Sequence, residues 1–252
     1  MTTISIVTPV LNADHMIAET VESVVQQSAV RSGRVRLQYI IQDGGSTDGT
    51  VDIIRKYEEK IDYWVSEKDE GISDAFNKGI RCSTGELIGI INSDDWYQVD
   101  SVNAIVDFYR TLESQERNNF ISFGNLLYAE KDVLQFGDNN YSRVINYHMP
   151  FLNHPSVFVA KNVYSRVGLF NKNFKLAMDF EFLKRCHKNG IIFNYINKTI
   201  VNMRLGGVSD KCKDEALRES ISISDNKSIT LFYSFYLPWI YRFSRLKSIL
   251  NK

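Results

Sequence analysis

The stretch TISIVTPVLNADHMIAETVESVVQQ, residues 3–27, decides the fold class of this chain. Thr3–Val10 is rich in β-branched residues, which favour a strand. In His15–Gln27 the apolar side chains recur at the spacing of one helix face. Those side chains belong to Ile17, Val21, Val24 and Val25. This stretch therefore predicts a strand followed by a helix.

The same order of strand and helix repeats downstream. Val35–Gln42 predicts a second strand, Asp43–Thr50 is a polar turn, and Val51–Glu59 predicts a helix capped by Ser46 or Thr47. The next expected elements are a strand at Ile61–Ser66, a helix at Ser73–Arg81, a strand at Glu86–Ile91 and a helix at Ser101–Leu112. This alternation predicts right-handed crossovers and an α/β fold with a mostly parallel central sheet.

Regular alternation ends near residue 115, and the part that follows predicts an α+β extension. Its expected elements are strands at Phe120–Tyr128, Asp132–Phe136 and Ser156–Val159, a helix at Asp179–Lys188 and an extended segment at Ile191–Met203. We expect this extension to complete the sheet and to cover one side of a cleft.

The composition excludes several classes of protein. With 44% apolar and 24% charged residues among 252, the chain is expected to be globular rather than disordered. Lys+Arg and Asp+Glu are both 30, so no nucleic-acid partner is indicated. Cys82, Cys186 and Cys212 show no CxxC spacing and favour a reducing cytoplasm. No apolar run reaches about 18 residues, so we expect neither a membrane span nor export by a signal peptide.

Four polar clusters directly follow predicted strands. They are Thr8–Asn12, Asp43–Asp48, Glu67–Asp74 and Asn92–Asp95. Because parallel strands end at the same edge of a sheet, these clusters are expected to gather where open α/β sheets bind ligands.

Two of these clusters have a recognisable chemistry. In Asn92-Ser93-Asp94-Asp95, adjacent carboxylates after a buried strand suit Mg²⁺ or Mn²⁺, although Ser93 and Asp94 also suit a helix N-cap. In Asp43–Thr50, glycines let the backbone approach a ligand and Asp43 can accept from a base or ribose. A plain polar turn before a helix is the alternative for that loop.

The ordered motifs resemble those of family 2 glycosyltransferases, inverting enzymes with the GT-A fold. The matching segments are SIVTPVLN (5–12), DGGSTDGT (43–50), SEKDEGISDAFNKG (66–79) and NSDD (92–95). The resemblance covers about residues 3–210 and is strongest to the bacterial branch that builds O-antigen and other surface polysaccharides. It implies a GT-A domain at 1–228, with nucleotide-sugar binding in 1–100 and the acceptor side in 101–228.

The resemblance also implies roles for particular residues in the donor half. Contacts to uracil and ribose are implied for Thr8, Pro9, Val10, Asn12 and Asp43. Asp69 is implied to lie beside the base and the donor sugar. Ser93 and Asp94 are implied to contact the donor, and Asp94 also the metal. The chain departs from the family pattern where Gly44 and Asn92 replace common aspartates. Asp95 is left as a further metal ligand or ribose contact.

In the second half, the resemblance implies that Asp179 is the catalytic base. Glu181 is a weaker candidate, since two residues along a helix it points roughly 200° away. His154 is implied to line the acceptor side or to approach the diphosphate. Arg204 is implied to neutralise donor phosphate before a Gly-Gly hinge. The residues alone leave an alternative for each of these roles. Asp179 could be an acidic residue favoured by the helix dipole, His154 a structural histidine, and the Arg204 segment a surface turn.

The C-terminal segment 229–252 combines aromatic and basic residues. Its aromatic side chains are Phe232, Tyr233, Phe235, Tyr236, Trp239, Tyr241 and Phe243, and its basic ones are Arg242, Arg245, Lys247 and Lys252. Such an amphipathic composition favours peripheral contact with an anionic membrane face, with packing on the domain or on a second copy as the alternative.

The sequence thus predicts a cytoplasmic, peripherally membrane-associated glycosyltransferase. It would move a hexose, with UDP as the expected carrier, to a glycan or polyprenyl-diphosphate-linked glycan with inversion, using Mg²⁺ or Mn²⁺. The alternatives are a sugar-nucleotide nucleotidyltransferase, although residues 8–14 lack a basic Gly-rich phosphate loop, and a non-catalytic nucleotide-sugar-binding protein.

Overall fold

The computed structural model describes residues 1–135, 145, 152–207 and 211–228. In chain order, the first elements are β1 (Thr2–Val10), α1 (Ile17–Val25), α2 (Ser28–Arg31), β2 (Val35–Asp43), α3 (Thr50–Lys56), β3 (Tyr63–Ser66), α4 (Ile72–Cys82) and β4 (Leu87–Ile90). They are followed by β5 (Trp96–Tyr97), α5 (Ser101–Thr111), α6 (Ser114–Arg117), β6 (Phe120–Tyr128), β7 (Val133–Gln135), β8 (Val157–Ala160), α7 (Lys161–Val167), α8 (Met178–Lys188), β9 (Ile192–Met203) and α9 (Lys213–Ile223).

The strands form one mixed sheet in the order β3-β2-β1-β4-β8-β6-β9-β5, with β7 paired to β6. Strands β1 to β4 are mutually parallel, and β8 lies antiparallel between β4 and β6. Strand β9 is parallel to β6, whereas β5 and β7 are antiparallel to their partners. The prediction of a mostly parallel sheet completed by the second half is confirmed.

The core lies on both faces of β1, as the predicted helix face requires. Ile4, Ile6 and Val7 are fully buried in the strand, and α1 buries Ile17, Val21 and Val24. Burial of both faces is typical of a parallel strand covered by helices on each side.

Helix α4 lies unusually close to β1 at Gly79. A Cβ atom at this position would lie 2.2 Å from Cγ1 of Val7. Glycine is therefore required here by packing, and it fixes the distance between the helix that follows the third polar cluster and the central strand.

The expected cap of α3 is wrong. The helix begins at Thr50, with Gly49 as its N-cap residue and no side-chain cap. The Ser46 hydroxyl instead donates to Asp43, and Asp48 Oδ1 accepts from the Thr50 N–H at 2.9 Å. The polar turn therefore continues past Ser46 and Thr47 before the helix starts.

The second half docks on α4 through hydrogen bonds between side chains of α4 and the main chain of the second half. Asn77 donates to the Phe170 carbonyl and accepts from the Phe170 N–H, both at 2.9 Å, and Ser73 Oγ donates to the Phe174 carbonyl at 3.0 Å. These bonds fix the loop that leads into α8.

Within the described ranges, no helix has the length and apolar composition to cross a membrane. The segment 229–252 lies outside the described residues.

Candidate active site

The loops after β1 and β2 are tied together by Asn12. This residue has a φ of +51°, a left-handed conformation that asparagine tolerates better than most residues. Its N–H donates to Ser46 Oγ at 2.7 Å, and its Oδ1 accepts from the Thr47 N–H at 2.9 Å. Asn12 therefore sets the relative position of the two loops expected to hold a nucleotide.

Asp43 lies at the end of β2 and is only 2% exposed. Its carboxylate accepts from Gly45 N–H at 3.2 Å, Ser46 N–H at 3.0 Å and Ser66 Oγ at 2.6 Å, and also from the Ser46 hydroxyl. A carboxylate has about four accepting positions. The chain's own donors therefore engage Asp43, which favours a role in shaping the loop over direct contact with a base or ribose.

The end of β1 is buried, although residues in contact with uracil would be expected to reach the surface. Thr8, Pro9 and Val10 are all buried, and Thr8 Oγ1 lies 3.1 Å from the hydroxyl of buried Tyr39. Burial raises the pKa of Tyr39, so the hydroxyl remains protonated. The side chains of Thr8, Pro9 and Val10 support the strand end, and the exposed surface of this loop begins at Leu11.

Gly44 explains one departure from the family pattern. A Cβ atom at Gly44 would lie 2.6 Å from Oδ2 of Asp69, whose other oxygen accepts from the Gly71 N–H at 2.8 Å. The carboxylate of Asp69 therefore occupies the space that a side chain at position 44 would need. The structure places Asp69 against the β2 loop, and its role beside the nucleotide stays a prediction.

Asp94 lies in the loop between β4 and β5, at the same edge of the sheet. Its half-buried carboxylate makes no hydrogen bond or ion pair to the residues that the structure describes, and neither does the side chain of Ser93. The alternative N-cap role is excluded, because α5 begins at Ser101 with Asp100 as its N-cap residue. Asp94 is therefore available to an external ligand.

Asp95 differs sharply from its neighbour. It is 1% exposed, and its two oxygens accept from the Arg204 N–H and from Nδ2 of Asn92, each at 3.2 Å. Burial and the nearby Asp94 carboxylate raise the pKa of Asp95 well above its usual value. Asp95 therefore connects the Asp94 loop to the end of β9, and its expected role as a further metal ligand or ribose contact stays a prediction.

Arg204 lies at the end of β9, next to the Asp94 loop. Its main chain is bound by Asp95, its guanidinium pairs with Glu19, and its Cζ lies 4.8 Å from the centre of the Trp96 ring. The structure thus brings the predicted phosphate-neutralising cation to the carboxyl edge. Its partner Glu19 could not be predicted from sequence spacing, because Glu19 lies on the exposed side of α1, 185 residues before Arg204.

Asp179 and the Asn92 loop are joined by His154. The Nδ1 atom of His154 lies 3.6 Å from Oδ2 of Asp179, and Nε2 lies 3.1 Å from Oδ1 of Asn92. The other Asp179 oxygen accepts from the Phe180 N–H at 2.8 Å, and the His154 ring packs on Phe76 with centres 5.2 Å apart. The predicted base and the predicted metal-binding loop therefore meet at one histidine.

Glu181 does not join this group. Its carboxylate forms two hydrogen bonds of 2.8 Å with Arg185, and Arg185 also donates to the carbonyls of Val167 and Leu169. Glu181 is therefore engaged by Arg185 in this structure, and its expected place on the acceptor side stays a prediction. Its place on the opposite side of α8 follows from the two-residue spacing to Asp179.

A small cavity of about 20 Å³ lies behind the His154–Asp179 pair. Its lining consists mainly of apolar side chains, namely Ile90, Val157, Val159, Tyr164, Phe170, Phe182 and Leu183. This volume holds about one water molecule. It is too small for a sugar nucleotide, so this cavity is not a donor site.

The segment that forms the carboxyl edge of the sheet matches a known protein family. Residues 5–115 match the model of glycosyl transferase family 2. A PGL/p-HBAD biosynthesis glycosyltransferase of Mycobacterium bovis (strain BCG / Pasteur 1173P2) is 22% identical over 241 residues, covering 93% of this chain and 90% of that relative. This match disfavours the nucleotidyltransferase alternative.

Solved structures share the fold. S. aureus TarS 1-349 in complex with UDP-GlcNAc gives a TM-score of 0.65 at 16% identity, covering 93% of this chain and 72% of that chain. Mannosyltransferase PcManGT from Pyrobaculum calidifontis, in complex with GDP-Man and Mn²⁺, gives 0.63 at 16% identity, covering 93% and 69%. The chain spans 41% of a longer TarS chain. The fold is thus GT-A. Residues 5–115 match glycosyl transferase family 2, and most of the chain is similar to glycosyltransferases.

Proposed function

We propose that this glycosyltransferase moves a hexose from a UDP-linked donor to a hydroxyl of a glycan or polyprenyl-diphosphate-linked glycan, with inversion, in surface polysaccharide biosynthesis such as O-antigen assembly. One observation carries the proposal: His154 connects the Asp179 carboxylate to the Asn92–Asp94 loop. Residues 1–100 would bind the donor and residues 101–228 the acceptor side. The complexes of similar structures contain UDP-GlcNAc in one case and GDP-Man in another, so UDP is the part to test first.

The reaction needs one base and one stabilised leaving group. Asp179 removes the proton from the acceptor hydroxyl as the hydroxyl oxygen forms a bond to the anomeric carbon. The bond between that carbon and the diphosphate oxygen breaks, and its electron pair leaves with the nucleoside diphosphate. Attack from the face opposite the leaving group inverts the anomeric configuration.

His154 is suited to assist the base. When Nε2 of His154 carries the proton and donates to Asn92, the lone pair of Nδ1 faces Asp179. At 3.6 Å, Nδ1 and Oδ2 of Asp179 are in contact but outside hydrogen-bond distance, so His154 assists by packing beside the carboxylate and connecting it to the Asn92 loop.

The side chains that could coordinate a metal fit a divalent cation whose ligands come largely from the substrate. No group of three or more His, Cys, Asp or Glu side chains suited to a metal occurs among the described residues, but Asp94 offers an unengaged carboxylate. Mg²⁺ usually takes one or two protein carboxylates and completes its shell with phosphates and waters. A bound Mg²⁺ or Mn²⁺ would offset the charge of the departing diphosphate, and Arg204 would add a second positive charge after release from Glu19.

Binding of nucleotides tests the donor site. The full chain is titrated with UDP, GDP, ADP and dTDP, with and without Mn²⁺, and its unfolding temperature is measured. We expect UDP with Mn²⁺ to raise this temperature by about 5 °C or more at 100 times its Kd. Asp94→Asn should remove the metal-dependent part, whereas Asp52→Asn, with its side chain 75% exposed, should not. Preference for another nucleotide would contradict UDP as the carrier.

Turnover tests the base. Asp179→Asn should keep the UDP-dependent shift but release UDP from UDP-glucose or UDP-N-acetylglucosamine at least 100-fold more slowly. The anomeric configuration of the released sugar or product, followed by NMR, tests inversion. Binding without turnover in the unaltered protein would favour the non-catalytic alternative, and an active Asp179→Asn variant would reject Asp179 as the base.

A peripheral membrane contact is proposed for residues 229–252, from their aromatic and basic composition. It would hold the enzyme at the cytoplasmic face, where a polyprenyl-linked acceptor is found. Flotation with vesicles of phosphatidylglycerol should recover the full chain, and deletion of residues 229–252 should abolish recovery. Equal recovery of both proteins would contradict the proposal.

A further inference from the structure

Glu219 on α9 contacts the loop that precedes the base. Its carboxylate accepts from the N–H of Lys175 at 3.0 and 3.2 Å, of Leu176 at 2.8 Å and of Ala177 at 2.8 Å. Three consecutive backbone N–H groups that point at one carboxylate form an anion-binding concavity. Each of these donors would lose its partner if the carboxylate were removed.

The concavity lies directly before the helix that carries the base. Ala177 is the N-cap residue of α8, and its carbonyl accepts from the Glu181 N–H at 3.0 Å. Asp179 follows two residues later, with one oxygen bound to the Phe180 N–H. The position of residues 175–177 therefore determines where α8 begins and where the Asp179 carboxylate meets His154.

A separate set of contacts holds the far end of α9. Lys184 of α8 is 4% exposed and donates to the Ile223 carbonyl and to Asp225, the latter at 2.8 Å. Lys188 donates to the same Asp225 oxygen at 2.9 Å. Helix α9 is thus held against α8 at two places, so the loss of Glu219 leaves the second attachment in place.

We propose that Glu219 is a positioning residue for the catalytic base. It acts through the main chain of residues 175–177, holding the start of α8 so that Asp179 stays beside His154. The inference rests on the proposed function, because it takes Asp179 as the base. A base displaced by about 1 Å costs on the order of 100-fold in rate, whereas donor binding to the other half of the sheet does not depend on it.

The test compares Glu219→Gln with Glu215→Gln. Glu215 lies one turn earlier on α9, is exposed, and makes no hydrogen bond or ion pair within the described part of the chain, so it is a matched control. The amide of Glu219→Gln keeps the size of the side chain but offers one accepting oxygen instead of two and no negative charge. Release of UDP from UDP-glucose and UDP-N-acetylglucosamine gives kcat and KM, and hydrogen exchange reports on the N–H groups of residues 175–177.

We expect Glu219→Gln to lower kcat about 10- to 100-fold, to leave the KM of the donor within about twofold, and to speed exchange at residues 175–177. Glu215→Gln should match the unaltered protein in all three measurements. If the KM of the donor rises as much as kcat falls, Glu219 has only a general structural role and the inference is overturned. Unchanged kcat in Glu219→Gln overturns it as well.

The Asp179→Asn variant distinguishes a failure of the proposed base from a failure of the positioning role of Glu219. If Asp179→Asn keeps its turnover, the proposed base is wrong, whatever Glu219 does. If Asp179→Asn is inactive while Glu219→Gln is as active as the unaltered protein, the proposed function stands and only the positioning role fails.

Discussion

Nδ1 of His154 lies 3.6 Å from Oδ2 of Asp179, with both side chains less than one-fifth exposed. His154 also contacts Asn92 through its other nitrogen, and Asn92 is bound in turn to Asp95. A histidine enclosed by these partners can adopt few other orientations. The contact therefore serves the base by restricting the positions that its carboxylate can adopt.

The first prediction concerns this contact. His154→Gln should lower kcat for UDP release about 10- to 100-fold, because Asp179 loses the partner that orients it, and should leave the affinity for UDP within about twofold. His15→Gln is the control, since the His15 side chain is 71% exposed and pairs only with neighbouring Asp14 among the described residues. Steady-state rates and calorimetric titration measure the two quantities. A parallel loss of UDP affinity would contradict a role confined to the base.

The second prediction separates the two acidic residues of α8. Glu181→Gln should lower the free energy of unfolding by about 1–3 kcal/mol, because Arg185 loses its carboxylate partner while half-buried. The turnover of the folded fraction should stay within about twofold, in contrast to Asp179→Asn. Urea unfolding and UDP release provide the measurements. A folded but inactive Glu181→Gln variant would return Glu181 to the list of candidate bases.

The third prediction concerns the contact between α4 and β1. Gly79→Ala should destabilise the protein by about 1–3 kcal/mol, because the added Cβ would overlap Cγ1 of Val7 and displace the helix. Val7→Ala makes room for the new methyl group, so Gly79→Ala should cost less in that background. Gly207→Ala is the control, with no atom within 4 Å of its added Cβ. Equal costs of Gly79→Ala in both backgrounds would show that Val7 does not set the spacing.

Much of the fold was predictable because it depends on local patterns. The β-branched run at β1 and the spacing of Ile17, Val21 and Val24 predicted the first two elements, and the parallel sheet then followed from their repetition. Strand β5 was missed because Trp96–Tyr97 has only two residues, too few for a periodic signal. Helix α9 was missed as well, because it has no buried residue and so carries no clear apolar face.

The chemistry of the site was predictable only in part. Motif order predicted roles for Asp94, Asp179 and His154, but not the contacts by which His154 connects the Asn92 loop to Asp179. The burial of Asp95 and the internal hydrogen bonds of Asp43 depend on residues far along the chain, such as Arg204 and Ser66. Glu219 contacts residues more than 40 positions away, and no sequence spacing indicates such a contact.

The fourth prediction uses pH to test the second attachment of α9. Hydrogen bonds from Lys184 and Lys188 lower the pKa of Asp225 below its ordinary value of 3.8. A carboxyl whose pKa is lower in the folded state stabilises the fold above its unfolded value, and that stabilisation is lost as the pH falls through the folded value. Since the Asp225 side chain is 43% exposed, solvent screening limits its contribution to about 0.5–1 kcal/mol.

Asp225→Asn should therefore be less stable than the unaltered protein at pH 7 and at pH 5, by about 1–4 °C in unfolding temperature. The difference should narrow as the pH falls below 4, because the unaltered protein then loses the same charge. Asp214→Asn serves as the control, since Asp214 is an exposed residue of α9 with no hydrogen bond or ion pair to the described residues. A difference between Asp225→Asn and the unaltered protein that stays constant from pH 7 to pH 3.5 would show that the charge of Asp225 does not hold α9 against Lys184.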